Sequence, residues 1–380
     1  MRLRIALFTY STKPRGSVIH TLELAEALHQ LGQEVCVYAL DKEGRGFDYP
    51  LHCRYQPIPV KPAGTDFDQL IQQRIQEFVD FLDDHLVAQP YDCYHAQDCL
   101  SANALAILRQ CHRIPHFIRT VHHIDDFNSP YLQQCQDRSI REPDLCLCVS
   151  QYWQQQLRER YEVYALRVLN GVNLQRFSSC PDNTKTALSN RLGLTGKPIY
   201  LTVGGIEPRK NSIRLLQAFA HVLSVYPEAQ LVIAGGATLF DYQPYRDQFF
   251  AEVERLGAPL ETALILPGVI PDADLPTLYQ TANAFVFPSL KEGWGLVVLE
   301  AIASGLPVVI PNQAPFTEFL LPDQAVWVDP LSVDAIADAM LAVLKPDAIS
   351  NPPDQICASF SWQTSAKMHL DHYSKLLSHA

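Results

Sequence analysis

The most informative stretch of this chain is Phe287-Pro-Ser-Leu-Lys-Glu-Gly-Trp-Gly-Leu-Val-Val-Leu-Glu-Ala-Ile-Ala-Ser-Gly-Leu-Pro307. Its order of residues predicts the end of a buried strand, a loop, an amphipathic helix, and a Gly-x-Pro turn into another strand. In a parallel sheet such a loop lies at the carboxyl end of the strand, where α/β proteins bind their ligands. The stretch therefore predicts an α/β fold with a binding site at this loop.

The same alternation of strands and helices runs along the whole chain. Short apolar runs alternate with amphipathic segments, as in a doubly wound parallel sheet. The runs predicted as strands in the first half are 4–9, 34–40, 91–95, 117–121 and 145–150. Those in the second half are 199–203, 231–234, 263–266, 284–288, 307–310 and 325–328. Two similar sheets are therefore expected.

A chain of 380 residues is typical of two domains. The segment 176–198 is rich in Ser, Asn, Asp, Lys and Gly, and it is predicted as the linker between the two sets of strands. We expect an N-terminal domain over 1–180 and a C-terminal domain over 181–380, each a Rossmann-like sheet. The last helical segment, about 361–380, follows a break at Pro352-Pro353, and packing back on the N-terminal domain is one option for it.

Composition and charge argue against several classes of protein. The net charge is −11 and both halves of the chain are acidic, which is atypical of a nucleic-acid binder. No apolar run approaches the roughly twenty residues of a membrane span, and polar residues follow the apolar N-terminus too soon for a signal peptide. The ten cysteines lack a paired C-x-x-C frame and are expected to be buried thiols in a reducing cytoplasm. Cys146-x-Cys148 is explained better by strand alternation than by a metal site.

The start of the helix in the opening stretch has the features of an anion site. Gly293 and Gly295 lack side chains, so a ligand can approach the backbone closely. The N–H groups of Gly295, Leu296 and Val297 have no partners within the first turn and can meet a diphosphate. The loop is therefore predicted to bind phosphate groups.

Two glutamates in the same stretch point to hydroxyl groups rather than phosphates. Acidic side chains would repel a phosphate, whereas the carboxylates of Glu292 and Glu300 accept hydrogen bonds from hydroxyls. A sugar nucleotide supplies both kinds of group. The alternative is that Glu292 only complements the helix dipole and that Glu300 is a solvated helix residue.

Two cations follow the glycine turn after the strand 199–203. Arg209 and Lys210 come after Gly204-Gly205, at the carboxyl edge of the second sheet. Cations fixed there would stabilise a diphosphate most when negative charge develops on it, which is during departure of the sugar. The alternative is a pair of surface cations in a loop.

These motifs resemble those of the retaining glycosyltransferases of family four, whose two-domain fold is called GT-B. The resemblance covers nearly the whole chain and rests mainly on Glu292-x7-Glu300 and Val203-Gly-Gly-Ile-Glu-Pro-Arg-Lys-Asn211. Weaker matches are Asn170-Gly-Val-Asn-x-x-Arg-Phe177, Thr120-Val-His122 and Pro14-Arg-Gly16. The family fold implies two Rossmann-like domains that face across a cleft, with the donor bound mostly by the second and the acceptor by the first.

The resemblance also implies roles for single residues. Glu300 would hold the ribose diol and Glu292 a hydroxyl of the donor sugar, while Lys210 and Arg209 would stabilise the departing diphosphate. Among the donor-binding positions, Gly205 stands where many members carry arginine. Two further implied positions are Gly16, next to a phosphate or sugar, and His122, facing the donor sugar. The residues alone explain Gly16 equally well as a turn and His122 as a structural histidine.

The implied activity is transfer of a hexose-type sugar from a nucleotide diphosphate donor, with retention of configuration and without a metal or other cofactor. The acceptor would be a small molecule, a glycan or a lipid-linked acceptor, with no nucleic-acid partner and no stable membrane insertion. A metal-binding D-x-D motif is absent, since Asp125-Asp126 lacks the spacing.

The sequence leaves three alternative functions for the protein. A nucleotide-sugar epimerase of the same shape would bind the same donor, although the glutamate pair argues against it. A non-catalytic sugar-nucleotide-binding protein is also compatible with the motifs. An NAD-dependent oxidoreductase is less compatible, because neither half contains Gly-x-Gly-x-x-Gly.

Overall fold

The structure is a computed structural model that describes residues 2–177, 181–236, 242–345, 348–349 and 353–379. The chain divides into two compact units: the first is Met1–Gly171 with Phe360–Ala380, and the second is Val172–Ser359. The division therefore lies after Gly171 rather than after residue 180. A Cβ atom at Gly171 would clash with the backbone of Ser361 and Trp362, so the outgoing and returning segments of the chain pack tightly together within unit 1.

Unit 1 is a seven-stranded, all-parallel sheet with the strand order β3-β2-β1-β4-β5-β6-β7. Its strands are β1 (Arg4–Thr9), β2 (Glu34–Asp41), β3 (Arg54–Pro59), β4 (Cys93–Ala96), β5 (Ile118–Val121), β6 (Leu145–Cys148) and β7 (Leu166–Arg167). Its helices are α1 (Gly16–Gln30), α2 (Phe67–Ala88), α3 (Cys99–Gln110), α4 (Pro130–Arg141) and α5 (Gln151–Tyr161), joined by the C-terminal helix Trp362–His379. This C-terminal helix packs against α1.

Unit 2 repeats the architecture with six parallel strands in the order β10-β9-β8-β11-β12-β13. Its strands are β8 (Ile199–Val203), β9 (Gln230–Ala234), β10 (Leu264–Gly268), β11 (Ala284–Val286), β12 (Val308–Pro311) and β13 (Val326–Val328). Its helices are α6 (Leu174–Phe177), α7 (Asp182–Leu192), α8 (Ser212–Leu223), α9 (Gln243–Leu256), α10 (Pro259–Ala263), α11 (Leu275–Thr281), α12 (Leu296–Ala303), α13 (Val333–Ala342) and α14 (Pro353–Cys357). The doubly wound α/β fold predicted from the sequence is confirmed in both units.

Two strands and one helix differ from the sequence prediction. The prediction missed β3 and β7, which are the outer strands of the first sheet and are largely exposed. β3 contains Pro57 and Pro59, and prolines are tolerated at a sheet edge because one side of that strand makes no ladder. The predicted linker contains α7, whose polar sequence reflects a surface helix in which only Leu188 is buried. Residues 178–180 of that linker lie outside the described part of the chain.

The cysteines are free thiols wherever they are described, but they are not all buried. Cys111 is exposed, Cys53 and Cys99 are partly buried, and Cys180 lies outside the described residues. Cys146 and Cys148 are buried on β6, and the described residues contain no cluster of His, Cys, Asp or Glu suited to a metal. Among the helices described, none is long and apolar enough to cross a membrane.

The strand order of unit 2 locates its ligand edge. The order reverses between β8 and β11, which are neighbours in the sheet although β9 and β10 come between them in the chain. In doubly wound sheets a crevice opens at the carboxyl ends of the two strands where the order reverses. The segments that leave this edge are the glycine turn with Arg209 and Lys210, after β8, and the loop with Glu292, after β11.

Candidate active site

The turn after β8 is shaped by close backbone packing. Gly204 has a φ of +147°, and a Cβ atom there would lie 3.0 Å from Lys210 Cε. A Cβ atom at Gly205 would lie 2.5 Å from the carbonyl oxygen of Gly236, in the turn after β9. The two glycines therefore let the turns after β8 and β9 touch and leave room for the Lys210 side chain. The structure gives Gly205 this packing role, and its contact with a donor stays a prediction.

One carboxylate oxygen of Glu292 accepts three hydrogen bonds. Its Oε1 accepts from Lys210 Nζ at 2.7 Å, from Arg209 Nη1 at 3.0 Å and from Ser289 Oγ at 2.7 Å. Arg209 Nε also lies 3.0 Å from Glu207 Oε2, and the Glu207 side chain is only 4% exposed. Two cations and two carboxylates thus form one cluster at the predicted edge, and Lys210 is not a surface cation because its side chain is only 12% exposed.

The pKa values of Glu292 and Lys210 are set by burial and by the neighbouring charges. Burial would raise the pKa of Glu292, but the charges of Lys210 and Arg209 outweigh it and lower the pKa to about 2. Burial and repulsion from Arg209 lower the pKa of Lys210 to about 8, although Glu292 acts in the opposite direction. The Lys210 ammonium also lies 4.3 Å from the centre of the Phe287 ring, which favours its charged form. At neutral pH both members of the pair are charged.

The loop after β11 ends in a helix that begins at Gly295. Gly295 is the N-cap of α12 with a φ of +103°, and a Cβ atom there would lie 2.7 Å from Phe316 Cε1. Only glycine satisfies both the conformation and the space. No side chain that the structure describes caps this end of the helix, so the backbone amides of Gly295, Leu296 and Val297 can donate to an anion. Gly293 lies in the loop just before this turn.

Glu300 lies in the second turn of α12 and is only 8% exposed, so its interpretation as a solvated helix residue is wrong. Its Oε2 accepts a hydrogen bond of 2.8 Å from the hydroxyl of Tyr279 on α11. Burial raises the pKa of Glu300, and the Tyr279 hydrogen bond acts in the opposite direction. A buried carboxylate of this kind can read hydroxyl groups with little competition from water.

The remaining predicted site residues, Gly16 and His122, belong to unit 1. Gly16 begins α1 after the carboxyl end of β1, and a Cβ atom there would meet no other atom within 4 Å. His122 follows β5, is buried, and lies 3.2 Å from Gln97 Oε1 through its Nε2. Its ring packs edge-on against His20 at 4.6 Å, and burial lowers its pKa well below the ordinary value. His122 is therefore a neutral, buried histidine at the ligand edge of the first sheet.

Two family models match this chain. The model of the glycosyl transferases group 1 matches residues 184–355, and that of glycosyltransferase family 4 matches residues 14–176. The chain belongs to these glycosyltransferases. The resemblance seen in the motifs is thereby confirmed. The group 1 match covers most of unit 2, and the family 4 match covers most of unit 1.

The chain is also similar to a mannosyltransferase and to a mannosylfructose-phosphate synthase. The O-antigen chain mannosyltransferase B of Escherichia coli is 28% identical over 281 residues, which is 70% of this chain and 72% of that protein. The mannosylfructose-phosphate synthase of Agrobacterium fabrum is 25% identical over 369 residues, 88% of this chain and 79% of that protein.

Solved structures establish the fold of this glycosyltransferase as GT-B. The sucrose-phosphate synthase from Thermosynechococcus elongatus aligns over 100% of both chains with a TM-score of 0.81 at 22% identity. The Anabaena protein HepE in complex with UDP-glucose aligns over 98% of this chain and 100% of its own, with a TM-score of 0.78 at 19% identity.

Three residues of this candidate site were not assigned from the sequence. Glu207 lies inside the motif after β8, and Ser289 lies inside the stretch after β11, so the local sequence already contains a signal for both positions. Tyr279 gave no local signal, because its contact with Glu300 depends on the packing of α11 against α12.

Proposed function

We propose that this glycosyltransferase moves a hexose-type sugar from a nucleotide diphosphate donor to an acceptor, with retention of configuration and without a metal ion. The observation that carries the proposal is the cluster of Lys210, Arg209 and Glu292 at the carboxyl edge where β8 and β11 meet, in which the Lys210 and Glu292 side chains are only 12% and 9% exposed. It combines fixed positive charge with carboxylates, and its member Glu292 lies in the loop that leads to the open N-terminus of α12.

The proposed chemistry follows from these charges. The amides at Gly295 would hold the diphosphate, and Glu292 and Glu300 would accept hydrogen bonds from donor-sugar and ribose hydroxyls. The bond between the anomeric carbon and the phosphate oxygen breaks as the acceptor oxygen attacks from the same face. The acceptor proton goes to the leaving phosphate oxygen. Lys210 and Arg209 stabilise the negative charge that this step builds up.

The assignment of His122 and Gly16 to the donor side is part of the proposal. Both lie at carboxyl edges of the first sheet, after β5 and β1. A neutral His122 is compatible with a sugar, because an uncharged imidazole can form hydrogen bonds with hydroxyl groups. It carries no charge that would attract the diphosphate. The acceptor is proposed as a small molecule, a glycan or a lipid-linked sugar, because the names of the relatives span mannosyl chains and sugar phosphates.

A donor panel tests the proposal. UDP-glucose, GDP-mannose and ADP-glucose are tested for thermal stabilisation and for nucleotide release, with NAD as the control ligand. A ligand that binds only the folded protein stabilises it by about 2.7 kcal/mol at a hundred times its Kd. We expect one sugar nucleotide to raise the melting temperature and NAD to leave it unchanged.

The same panel tests metal independence. Turnover of the best donor is expected to be unchanged in EDTA, since Lys210, Arg209 and the N-terminus of α12 provide the counter-charge that a metal would otherwise supply. Loss of turnover in EDTA, with recovery in magnesium or manganese, would contradict this part of the proposal. Stabilisation by NAD alone would contradict the whole of it.

A further inference from the structure

Tyr279 is a fully buried tyrosine whose hydroxyl reaches into the predicted ribose site. The residue lies on α11, and its Oη donates to Glu300 Oε2 on α12 at 2.8 Å. A buried phenol and a buried carboxylate are both costly to desolvate, and the hydrogen bond between them offsets part of that cost.

The ring of Tyr279 is held in one orientation by two aromatic neighbours. The Phe177 ring of α6 packs edge-on at 5.7 Å between centroids, and the Phe285 ring of β11 packs at 5.7 Å with a tilt of 48°. The packing of the ring therefore fixes the position of the Tyr279 hydroxyl oxygen. Such a fixed donor orients the carboxylate that accepts from it.

The two oxygens of Glu300 differ in their surroundings. Oε2 is occupied by Tyr279, whereas Oε1 accepts no hydrogen bond from any residue that the structure describes and is not sealed from solvent. The charged groups that act on this carboxylate are Arg176, at the end of α6, and Asp272, and these two form an ion pair with each other. Arg176 is thus paired with Asp272, and among the described residues the Tyr279 hydroxyl is the one neutral group that donates a hydrogen bond to Glu300.

We propose that Tyr279 is a positioning residue for the donor: its hydroxyl holds Oε2 of Glu300 so that Oε1 is presented to the hydroxyl groups of a ribose. This inference rests on the proposed function and adds a residue to it. Tyr279 touches the carboxylate and not the ligand, so its effect should depend on whether the ligand carries the ribose hydroxyls that Glu300 reads.

The test compares two buried tyrosines of unit 2. Tyr279→Phe keeps the ring and removes the hydroxyl. Tyr200→Phe is the matched control, because Tyr200 is equally buried and its hydroxyl donates to the backbone carbonyl of Met340 at 3.0 Å, within the core. Calorimetry measures the Kd of UDP, GDP or ADP, whichever the donor panel selects, and of its 2′-deoxy counterpart.

We expect Tyr279→Phe to raise the Kd of the ribonucleotide about tenfold, which is typical of one hydrogen bond to a charged group. The Kd of the 2′-deoxy nucleotide should change much less, and Tyr200→Phe should change neither. The acid limit of ribonucleotide binding should also move to higher pH in Tyr279→Phe. The reason is that the phenol hydrogen bond lowers the pKa of Glu300, so without it the carboxylate takes up a proton sooner.

The outcomes separate this inference from the proposed function. If no nucleoside diphosphate binds the wild-type protein, the proposed function fails. If the wild type binds the ribonucleotide and Tyr279→Phe binds it equally well, the positioning role is overturned while the function stands. Equal weakening in Tyr279→Phe and Tyr200→Phe, or equal weakening for both sugars of the nucleotide, would also overturn it, since either would indicate a general loss of stability.

Discussion

Replacing Lys210 by alanine is expected to lower turnover by about 10²–10³-fold with a smaller change in donor KM, as for loss of a single oxyanion donor. The ammonium is fixed 2.7 Å from Glu292 Oε1 before any substrate arrives, so it needs no reorganisation when charge develops on the diphosphate. Glu300→Ala should behave differently and mainly raise donor KM, because ribose hydroxyls do not change during the reaction.

Steady-state kinetics with the best donor of the panel measure this difference. Lys185→Ala, which removes a surface lysine of unit 2, is the control for charge and handling. Circular dichroism establishes that each variant is folded. A wild-type rate in Lys210→Ala would remove this residue from the site, and an effect confined to KM would mean that it only holds the donor.

The pH dependence of kcat/KM gives a second readout of Lys210. The pKa of this lysine is lowered to about 8, so the ammonium is present below pH 8 and is lost as the pH rises through that value. The wild type should therefore show an alkaline limb near pH 8. Lys210→Arg should keep part of the activity and lose the limb, because arginine stays charged throughout.

Replacing Glu292 by glutamine is expected to lower the free energy of unfolding by about 3–5 kcal/mol at neutral pH, the range known for breaking one partner out of a buried ion pair. The Glu292 side chain is 9% exposed and accepts from both cations of the cluster, so the variant removes the carboxylate partner of Lys210, while Arg209 keeps its pair with Glu207. Loss of this carboxylate also removes a group that raises the pKa of Lys210, so the lysine should become partly neutral at pH 7.

Urea unfolding of Glu292→Gln is compared with Glu34→Gln, which removes a carboxylate from the exposed pair with Arg54. The control should change the free energy by less than about 1 kcal/mol, as for surface pairs. The pKa of Glu292 is about 2 in the folded protein and 4.5 ordinarily. Its contribution is therefore complete above pH 4.5 and lost as the pH falls towards 2, so the difference between wild type and variant should shrink over that range. Equal effects of the two substitutions would contradict a buried, coupled cluster.

The central strands and the cassette after β11 could be predicted because their signals are local. Buried parallel strands such as β8 and β9 are short apolar runs, and Gly295 needs glycine for a φ of +103°. The edge strand β3 could not be predicted by this rule, because its exposed face and its prolines remove the apolar run.

Contacts between distant segments were harder to predict. Lys210 and Glu292 are 82 positions apart, and they meet because β8 and β11 are neighbours in the sheet. The motif order suggested this edge but not the shared oxygen of Glu292. The burial of Glu300 and its hydrogen bond to Tyr279 depend on the packing of α11. The division after Gly171 depends on the return of the chain to unit 1 at Phe360, and no local sequence pattern indicates that return.

The most direct test of the account is hydrogen exchange of the wild-type protein with and without the best sugar nucleotide of the panel. We expect slower exchange of backbone amides in two segments, 203–211 after β8 and 287–300 around Gly295, and the slowing should be weaker in Glu300→Ala at the same donor concentration. Unchanged exchange in both segments while the donor protects another part of the chain would contradict the claim that this edge of unit 2 is the donor site.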